Sequence, residues 1–490
     1  MKDFLRQRVF GPHYRWWALG IVGLAVFMVT TDAGLLNISL PIIVRYFQAD
    51  MTLAGWIVLT YALVTGALYL PFGRLADLIG RKKVLARGFL LYSLSSALAG
   101  LSQSPSQLIF FRALQAVGSA LMMSTTFALV TSLFPPEERG RAMGISGGTV
   151  TAIGFTLGPS LGGFLAHTLG WRYIFYVTSL LGVLGAVAVR LILPEEEKGS
   201  SEVGRREPFD LVGAAAFTLG LTAFLLALTA GQREGWDARL IRGAFLLALS
   251  SLGFFLWWES RSPYPLLDLR LFHNRLFAAG NVARLVSFVA TSMNSLIMPF
   301  FLQWGLALDP LTAGLYMTSS VLALAVLSPL SGWLSEKMGA RLLSSLGLTI
   351  MGIAFWMLSL LRPGVSPLDV VLRLALVGVG LGLFQTPNNN SLMSSIPPDR
   401  LGVGSSFLSI VRSVGQSVGA ALASTLVGAS LRTVAGNGQL PDFRTGAASS
   451  GDAVLLSAFL QGYQHTYRTA AILSILGVLA SLLRGPKKAP

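Results

Sequence analysis

The chain has 490 residues, of which 53% are hydrophobic and only 12% are charged. A soluble protein of this size has about 25% charged residues, so the composition excludes an ordinary soluble fold. Cysteine is absent, which excludes disulfides and thiol chemistry. The four histidines lie in loops or at helix ends without metal-ligand spacing, so we predict no metal, no cofactor and no enzymatic activity.

Long apolar stretches of about 20 residues, enough to cross a bilayer as a helix, recur along the whole chain. They predict an all-α polytopic membrane protein with fourteen transmembrane helices. These lie near 16–38, 53–72, 84–101, 107–132, 142–166, 172–192, 211–230, 241–258, 277–303, 311–334, 342–361, 367–394, 403–430 and 467–484. The stretch 431–466 between the last two is predicted to be a large outer loop.

The distribution of positive charge predicts the orientation. Most of the 37 lysines and arginines fall in loops on the side of the N-terminus, such as 74–87 and 137–141. The positive-inside rule therefore places both termini in the cytoplasm and the chain in the inner (cytoplasmic) membrane. The net charge of +15 is then a topology signal, and no nucleic-acid partner is expected.

Two cytoplasmic sequences recur with nearly the same offset, which indicates duplicated halves. GRLADLIGRK begins at Gly73 and GWLSEKMGAR at Gly332, while PPEERG and PPDRLG form a second pair. The predicted domains are therefore an N-terminal six-helix bundle at 1–200 and a C-terminal six-helix bundle at 265–490. A connector at 201–264 holds two additional transmembrane helices.

Asp32, in the stretch VTTDAGLLNISLP, is predicted to be the only acid buried deep in the membrane. The acids nearest to a span boundary are otherwise Asp210, Glu259, Asp309 and Asp369. Acids inside a membrane are costly and by default functional, so we predict that Asp32 exchanges protons. The alternatives are a structural aspartate that caps a break near Gly34, or one permanently paired to an arginine.

These residues resemble the major facilitator superfamily, and within it the fourteen-helix drug:proton antiporters. The resemblance covers nearly the whole chain. It lies in the opening stretch with Asp32, Asn37 and Pro41; in the loop after helix 2 with Gly73, Asp77, Gly80, Arg81 and Lys82; and in helix 4 with Arg112, Gln115 and Gly118. It continues in GFTLGPSLGG with Gly154, Gly158, Pro159, Gly162 and Gly163, and in QTPNNNSLM and PLLDLRLF. The position after Gln115 departs from the family pattern, with Ala116 in place of the usual glycine.

The resemblance implies two six-helix bundles that work by alternating access. Asp77 with Arg81 is expected to latch the two halves at the cytoplasmic side, with Glu336 at the repeated position. Gly73 and Gly80 would allow a tight turn. The glycines every fourth residue in GFTLGPSLGG predict close helix packing, and Pro159 allows a bend. A gating role is expected for the Asp77 loop and for GFTLGPSLGG. The alternative is a solvated loop for the first and ordinary helix packing for the second.

Four arginines fall inside predicted spans: Arg112, Arg284, Arg373 and Arg412. Helices 1 and 4 line the cavity in the superfamily, so Arg112 is expected to influence Asp32. The other candidates for substrate contact are polar residues of spans 1, 4, 9 and 12, with interhelical hydrogen bonds as the alternative role. Together with Arg284 and Arg412 they are Asn37, Gln115, Asn294, Gln303, Gln385, Asn388 and Asn389.

The predicted function is a proton-coupled secondary exporter, an antiporter of amphiphilic compounds or drugs, acting as a monomer among membrane lipids. One acid and several arginines give a positive cavity, which fits a cationic drug poorly. The alternative is therefore an exporter or flippase of a lipid or glycolipid with an anionic headgroup. An uptake symporter and a membrane receptor without transport are further alternatives.

Overall fold

A computed structural model describes residues 14–48, 51–193, 208–435 and 453–484. These residues are almost entirely helical, and none of them is in a β-strand. The all-α prediction is therefore confirmed. The outer loop predicted at 431–466 is wrong at both ends, since one helix continues to Ala435 and the next begins at Ala453. Residues 436–452 lie outside the described residues.

The long helices follow one another with short connections. In chain order they are α1 (Tyr14–Phe47), α2 (Met51–Ile79), α3 (Arg81–Gly100), α4 (Pro105–Leu133), α5 (Pro136–Thr168), α6 (Arg172–Ile192), α7 (Leu211–Glu234), α8 (Arg239–Glu259), α9 (Arg275–Gly305), α10 (Pro310–Met338), α11 (Ala340–Ser359), α12 (Pro367–Ser394), α13 (Leu401–Ala435) and α14 (Ala453–Leu482). π-Helical turns occur at Ile145–Thr149 in α5 and at Phe301–Gly305 in α9.

Twelve helices in the described part of the chain are long and apolar enough to cross a membrane. The other two, α3 and α14, coincide with the predicted spans 84–101 and 467–484. Charged or polar side chains lower their hydropathy: Arg81, Lys82, Lys83 and Arg87 in α3, and Gln461, Gln464, His465 and Arg468 in α14. The total of fourteen spans therefore stays a prediction.

The chain forms two compact units. The first contains the described residues of Met1–Leu226, Gly243–Asn274 and Asn389–Ile410, and the second those of Ala227–Arg242, Arg275–Asn388 and Val411–Pro490. Helices α7, α8, α12 and α13 contribute to both units. The division into two six-helix bundles and a connector was drawn from the sequence repeat, and it stays a prediction.

The sequence repeat has a counterpart in backbone geometry. Gly80 has φ of 99° and precedes α3, and Gly339 has φ of 86° and precedes α11. These two glycines occupy the same position in the two repeated sequences. Positive φ is the conformation that glycine adopts at little cost, so the same tight turn joins two helices in each repeat.

In the first unit, the glycines of GFTLGPSLGG pack against α1 on both sides of Asp32. A Cβ atom added to Gly158 would lie 2.8 Å from the Thr31 carbonyl oxygen, and one added to Gly162 would lie 2.8 Å from Leu35 Cα. Contact with backbone leaves no room for a side chain. The i, i+4 glycines therefore allow α5 and α1 to approach closely, as predicted for small-residue packing.

Adjacent glycines on α5 allow a direct test of this packing. Gly162→Ala is expected to destabilise the protein by about 1–3 kcal/mol, because the new methyl group meets the backbone of α1. Gly163→Ala is the matched control, since its nearest neighbour, Ile38 Cγ2, is 3.6 Å away. It should be neutral or stabilising, because alanine is the better helix former. Thermal unfolding in detergent measures both, and equal effects would contradict the packing.

Candidate functional site

A buried polar cluster lies between α1, α3 and α4 in the first unit. Asp32 is 3% exposed, Arg112 is 1% exposed and Gln115 is fully buried. Arg112 Nη1 donates to both carboxylate oxygens of Asp32, at 3.0 and 2.8 Å. The structure thus brings together the acid and the arginine that were expected to influence each other. We call Asp32, Arg112, Gln115 and Tyr92 the Asp32 cluster.

Further donors complete the environment of the Asp32 carboxylate. Tyr92 donates its hydroxyl to Oδ1 at 3.0 Å, and Gln115 Nε2 lies 3.3 Å from the same oxygen. Gln115 also accepts from Arg112 at 2.6 Å and donates to Ser96 at 2.8 Å. The Arg112 guanidinium lies 4.3 Å from the ring centroid of Tyr61, a cation–π distance. One ion pair is therefore held by four helices, α1 to α4.

Sequence reasoning missed the two tyrosines and Ser96. Tyr92 and Ser96 are one helical turn apart on α3, as Arg112 and Gln115 are on α4, so each pair shares a helix face. That spacing could have grouped them within each helix. It could not have shown that both faces point at Asp32, because this depends on how the helices pack.

Asp77 lies in a second polar cluster, at the start of α13. Its Oδ1 accepts from the backbone N–H of Gly402 at 2.8 Å and its Oδ2 from that of Val403 at 3.0 Å. Arg81 Nη2 lies 3.1 Å from Asp77 Oδ1 and donates to the Pro398 carbonyl at 2.6 Å. A carboxylate at a helix N-terminus satisfies free N–H groups and complements the helix dipole. We call these contacts the Asp77 latch.

Gly73 is needed for this approach. A Cβ atom on Gly73 would lie 2.5 Å from the Gly402 carbonyl oxygen, so α2 and α13 touch through backbone. Glu336, at the repeated position, is half-buried in α10 of the second unit. The latch role of these residues was drawn from the resemblance, and it stays a prediction.

The candidates for substrate contact are distributed over both units. Asn37 and Gln303 are exposed, and Gln385 is half-buried. In the second unit, Asn294 accepts from the Tyr467 hydroxyl at 2.8 Å, and Asn388 accepts from the Arg484 guanidinium. Asn389, buried, belongs to the first unit. Asn294 thus makes an interhelical hydrogen bond and Asn388 bonds to the turn after α14, while substrate contact by these residues stays a prediction.

The membrane arginines differ in their surroundings. Arg373 pairs with Asp369 at 2.7 Å, at the first turn of α12. Arg284 is 1% exposed, lies 4.9 Å from the ring centroid of Phe288, and feels the positive charge of Arg412. The second unit thus holds two like charges close enough to repel, one of them fully buried.

Burial inside the protein is not confined to Asp32 among the acids. Besides Asp32, the described residues include two further buried acids: the Asp77 side chain is fully buried and Glu259 is 4% exposed. Both lie near helix ends, where the sequence predicts contact with water. Protein contacts bury them instead, and position along a span could not reveal that.

The comparisons with known proteins agree with this architecture. A sequence model of the Major Facilitator Superfamily matches residues 22–273 and 281–490. The chain belongs to the Major Facilitator Superfamily. The resemblance drawn from the motifs is thereby confirmed, and the protein is a multi-pass membrane transporter.

Several curated relatives and solved structures are similar to this transporter. The riboflavin transporter RibZ of Clostridioides difficile is 33% identical, and the alignment covers 85% of this chain and 89% of RibZ. The multidrug resistance protein Stp of Mycobacterium tuberculosis is 33% identical over 83% of this chain and 75% of its own. The human organic anion transporter MFSD10 superposes with a TM-score of 0.64 at 17% identity, over 95% of this chain and 99% of its own, which shows the same fold.

The Asp77 latch can be tested by how fast a thiol introduced at a buried position beside it is labelled. Leu401→Cys places the chain's only thiol at the start of α13, where Leu401 is 5% exposed. Asp77→Asn, added to this variant, removes a charge-assisted contact to two N–H groups, worth about 1.5–3 kcal/mol. Labelling of the introduced thiol is therefore expected to become about 10 to 100 times faster.

Asp399→Asn, added to the same thiol variant, is the matched control. The charge that it removes is 74% exposed, so the labelling rate should not change. Equal rates in the thiol variant alone and in its two derivatives would contradict the latch.

Proposed function

We propose that this transporter is a proton-coupled exporter of amphiphilic compounds or drugs, an antiporter that works by alternating access. The observation that carries the proposal is the buried ion pair between Asp32 and Arg112. The side chains of Arg112 and Asp32 are 2% and 4% exposed, so both charges of this pair are held away from water. A proton is the smallest ligand able to break such a pair.

The coupling follows from the energy of the pair. Removing one partner of a buried ion pair costs about 3–5 kcal/mol, because the remaining charge is left uncompensated. When a proton neutralises Asp32, Arg112 loses its counter-charge while Tyr61 and Gln115 still hold it in place. The Asp32 cluster is then unfavourable in its present packing. A different arrangement of α1 and α4 becomes preferred, and this drives the conformational change.

In the proposed cycle, Asp32 takes up its proton from the outside and the protein opens to the cytoplasm. Substrate binds there, and Asp32 releases its proton to the cytoplasm. The ion pair forms again, and the protein returns to the outward state with its substrate. The direction assumes the predicted orientation, with both termini in the cytoplasm. The relatives support a drug substrate, since Stp is named for multidrug resistance and others for lincomycin resistance.

The principal test is Asp32→Asn in proteoliposomes with an imposed pH gradient. The variant should bind a fluorescent amphiphile with an affinity near that of the native protein, but gradient-driven transport should be lost. Because the unpaired Arg112 costs about 3–5 kcal/mol, the double variant Asp32→Asn with Arg112→Gln is made in parallel to restore folding. It too should be uncoupled.

Asp369→Asn is the matched control for this test, because it removes the acid of an ion pair in the second unit that is partly exposed. Coupling should survive in this control. Asp32 would be rejected as the proton carrier if Asp32→Asn stayed fully coupled. It would also be rejected if coupling were lost in Asp369→Asn as well as in the two Asp32 variants.

A second candidate is the export of a lipid or glycolipid with an anionic headgroup. It is favoured by Arg284 and Arg412, which repel each other inside the second unit. An anionic group bound beside both would remove that repulsion. An uncharged planar substrate is the third possibility, suggested by the name of the relative RibZ.

The two candidates separate in a substrate screen with arginine variants. If the headgroup is anionic, Arg284→Gln and Arg412→Gln should each slow transport of a fluorescent anionic lipid about 10-fold, the effect of losing about 1.4 kcal/mol of binding. Transport of a cationic dye or of riboflavin should be unchanged or faster. Arg373→Gln serves as the control, since Arg373 pairs with Asp369. Equal transport of the lipid by all variants would reject the second candidate.

A further inference from the structure

The two additional helices, α7 and α8, form a hairpin whose two ends carry acids, and both of these ends lie in the first unit. Asp210 comes directly before α7, and Glu259 is the last residue of α8. The helices pack through Phe217 and Phe255, whose ring centroids are 5.2 Å apart. Thr218 donates to the Ala67 carbonyl at 3.4 Å, which places α7 against α2. Nothing in the proposed transport cycle uses these two acids.

The two carboxylates converge on a single glycine. A Cβ atom built on Gly213 would lie 2.7 Å from Glu259 Oε1 and 2.9 Å from Asp210 Oδ2. Both oxygens therefore lie within 3 Å of one point beside Gly213. Two ionised carboxylates held this close repel each other, and such pairs characteristically share a proton.

The donors around the two acids are unequal. Asp210 accepts from the Gly213 N–H at 2.8 Å, from Trp258 Nε1 at 2.9 Å and from the Ser262 hydroxyl at 3.3 Å. Glu259 Oε2 accepts from the Leu267 N–H at 3.2 Å. Glu259 Oε1 is buried and accepts no hydrogen bond from the described residues. Asp210 thus accepts from three donors, whereas Oε1 of Glu259 accepts from none of the described donors and can carry a hydrogen atom of its own.

The charges around Glu259 also favour the binding of a proton. Arg74 on α2 is 3% exposed and is the cation that acts on Glu259, while Asp210 is the anion that acts on it. When both acids are ionised, these three groups together carry one net negative charge, and Arg74 and Glu259 are buried. Binding a single proton brings this cluster to neutrality, which is the favourable state away from water.

We propose that Glu259 is a second proton-binding site of this chain, with the proton on Oε1 donated to Asp210 Oδ2. In the protonated form this hydrogen bond joins the start of α7 to the end of α8, beside Arg74. In the ionised form the two ends repel, and the hairpin loosens its contact with α2. The site does not rest on the proposed function, because proton binding here can be measured in protein that is not transporting.

A metal ion would be the other ligand for paired carboxylates. Calcium takes six to eight oxygen ligands, and magnesium an octahedral set of six. No group of three or more acidic, histidine or cysteine side chains suited to a metal occurs in the described part of the chain. Two carboxylates beside a guanidinium fit a proton better than a divalent cation.

Infrared difference spectroscopy tests the site directly. The full chain is reconstituted in lipid and moved from alkaline to mildly acidic buffer, and the C=O stretching band of newly protonated carboxylic acid is recorded. Glu259→Gln should lose one such band. This variant keeps the shape of the protonated acid, and its amide can donate to Asp210, so it is expected to fold; thermal unfolding checks this. In Asp210→Asn the band should weaken at neutral pH, because the repelling carboxylate is gone.

The controls separate this site from the others. Glu137→Gln removes an exposed acid of α5 and should leave the Glu259 band unchanged. Asp32→Asn should also leave it unchanged, so failure of the proposed transport cycle and failure of this site give different results. The proposal is overturned if Glu259→Gln retains every band of the native protein. It is also overturned if the band disappears in Asp210→Asn and not in Glu259→Gln.

Discussion

Burial of the Asp32–Arg112 ion pair is the constraint on which the rest of the first unit depends. Each charge would be very costly alone in a place without water, and together they are tolerated only with good geometry and further hydrogen bonds. Tyr92 and Gln115 supply those bonds from α3 and α4. The close packing of α5 on α1 then serves the pair as well, because it fixes the helix that presents Asp32.

The second unit also buries charged side chains, but their surroundings differ from those of the Asp32–Arg112 pair. Its buried cations are placed beside neutral groups or one another: Arg284 beside Phe288 and Arg412, and Arg484 beside Asn388 and Ser344. In the first unit a proton can change the balance of charge by neutralising Asp32. An arginine stays charged at every physiological pH, so Arg284 cannot itself switch its charge. This difference is consistent with proton exchange in one unit and substrate recognition in the other.

Much of the fold could be predicted from the sequence because the signals are local. Hydropathy gave the helices, and the repeated turn glycines Gly80 and Gly339 both have positive φ. The prediction failed at 431–466 because polar residues interrupt the apolar pattern of α14. In α14, Tyr463 and Tyr467 are buried despite the polar residues around them, and the Tyr467 hydroxyl bonds to Asn294 on α9. Which partner a residue meets, as for Tyr92 with Asp32, depends on packing between distant segments and could not be read from spacing.

The three buried acids differ in what must happen before a proton can bind. Asp77 accepts from two backbone N–H groups and from Arg81, so its proton would have to displace a helix end. Asp32 accepts from Arg112 on both oxygens, so the proton of the proposed cycle would replace contacts of that ion pair. In the proposed cycle, protonation of Asp32 therefore accompanies a rearrangement of helices. Glu259 Oε1 accepts no hydrogen bond from the described residues and lies near the Asp210 carboxylate, so a proton can bind there without displacing a described donor. In the two proposals, the Glu259 site adjusts the hairpin to the pH on its own side of the membrane, whereas protonation of Asp32 and the conformational change of the transporter occur together.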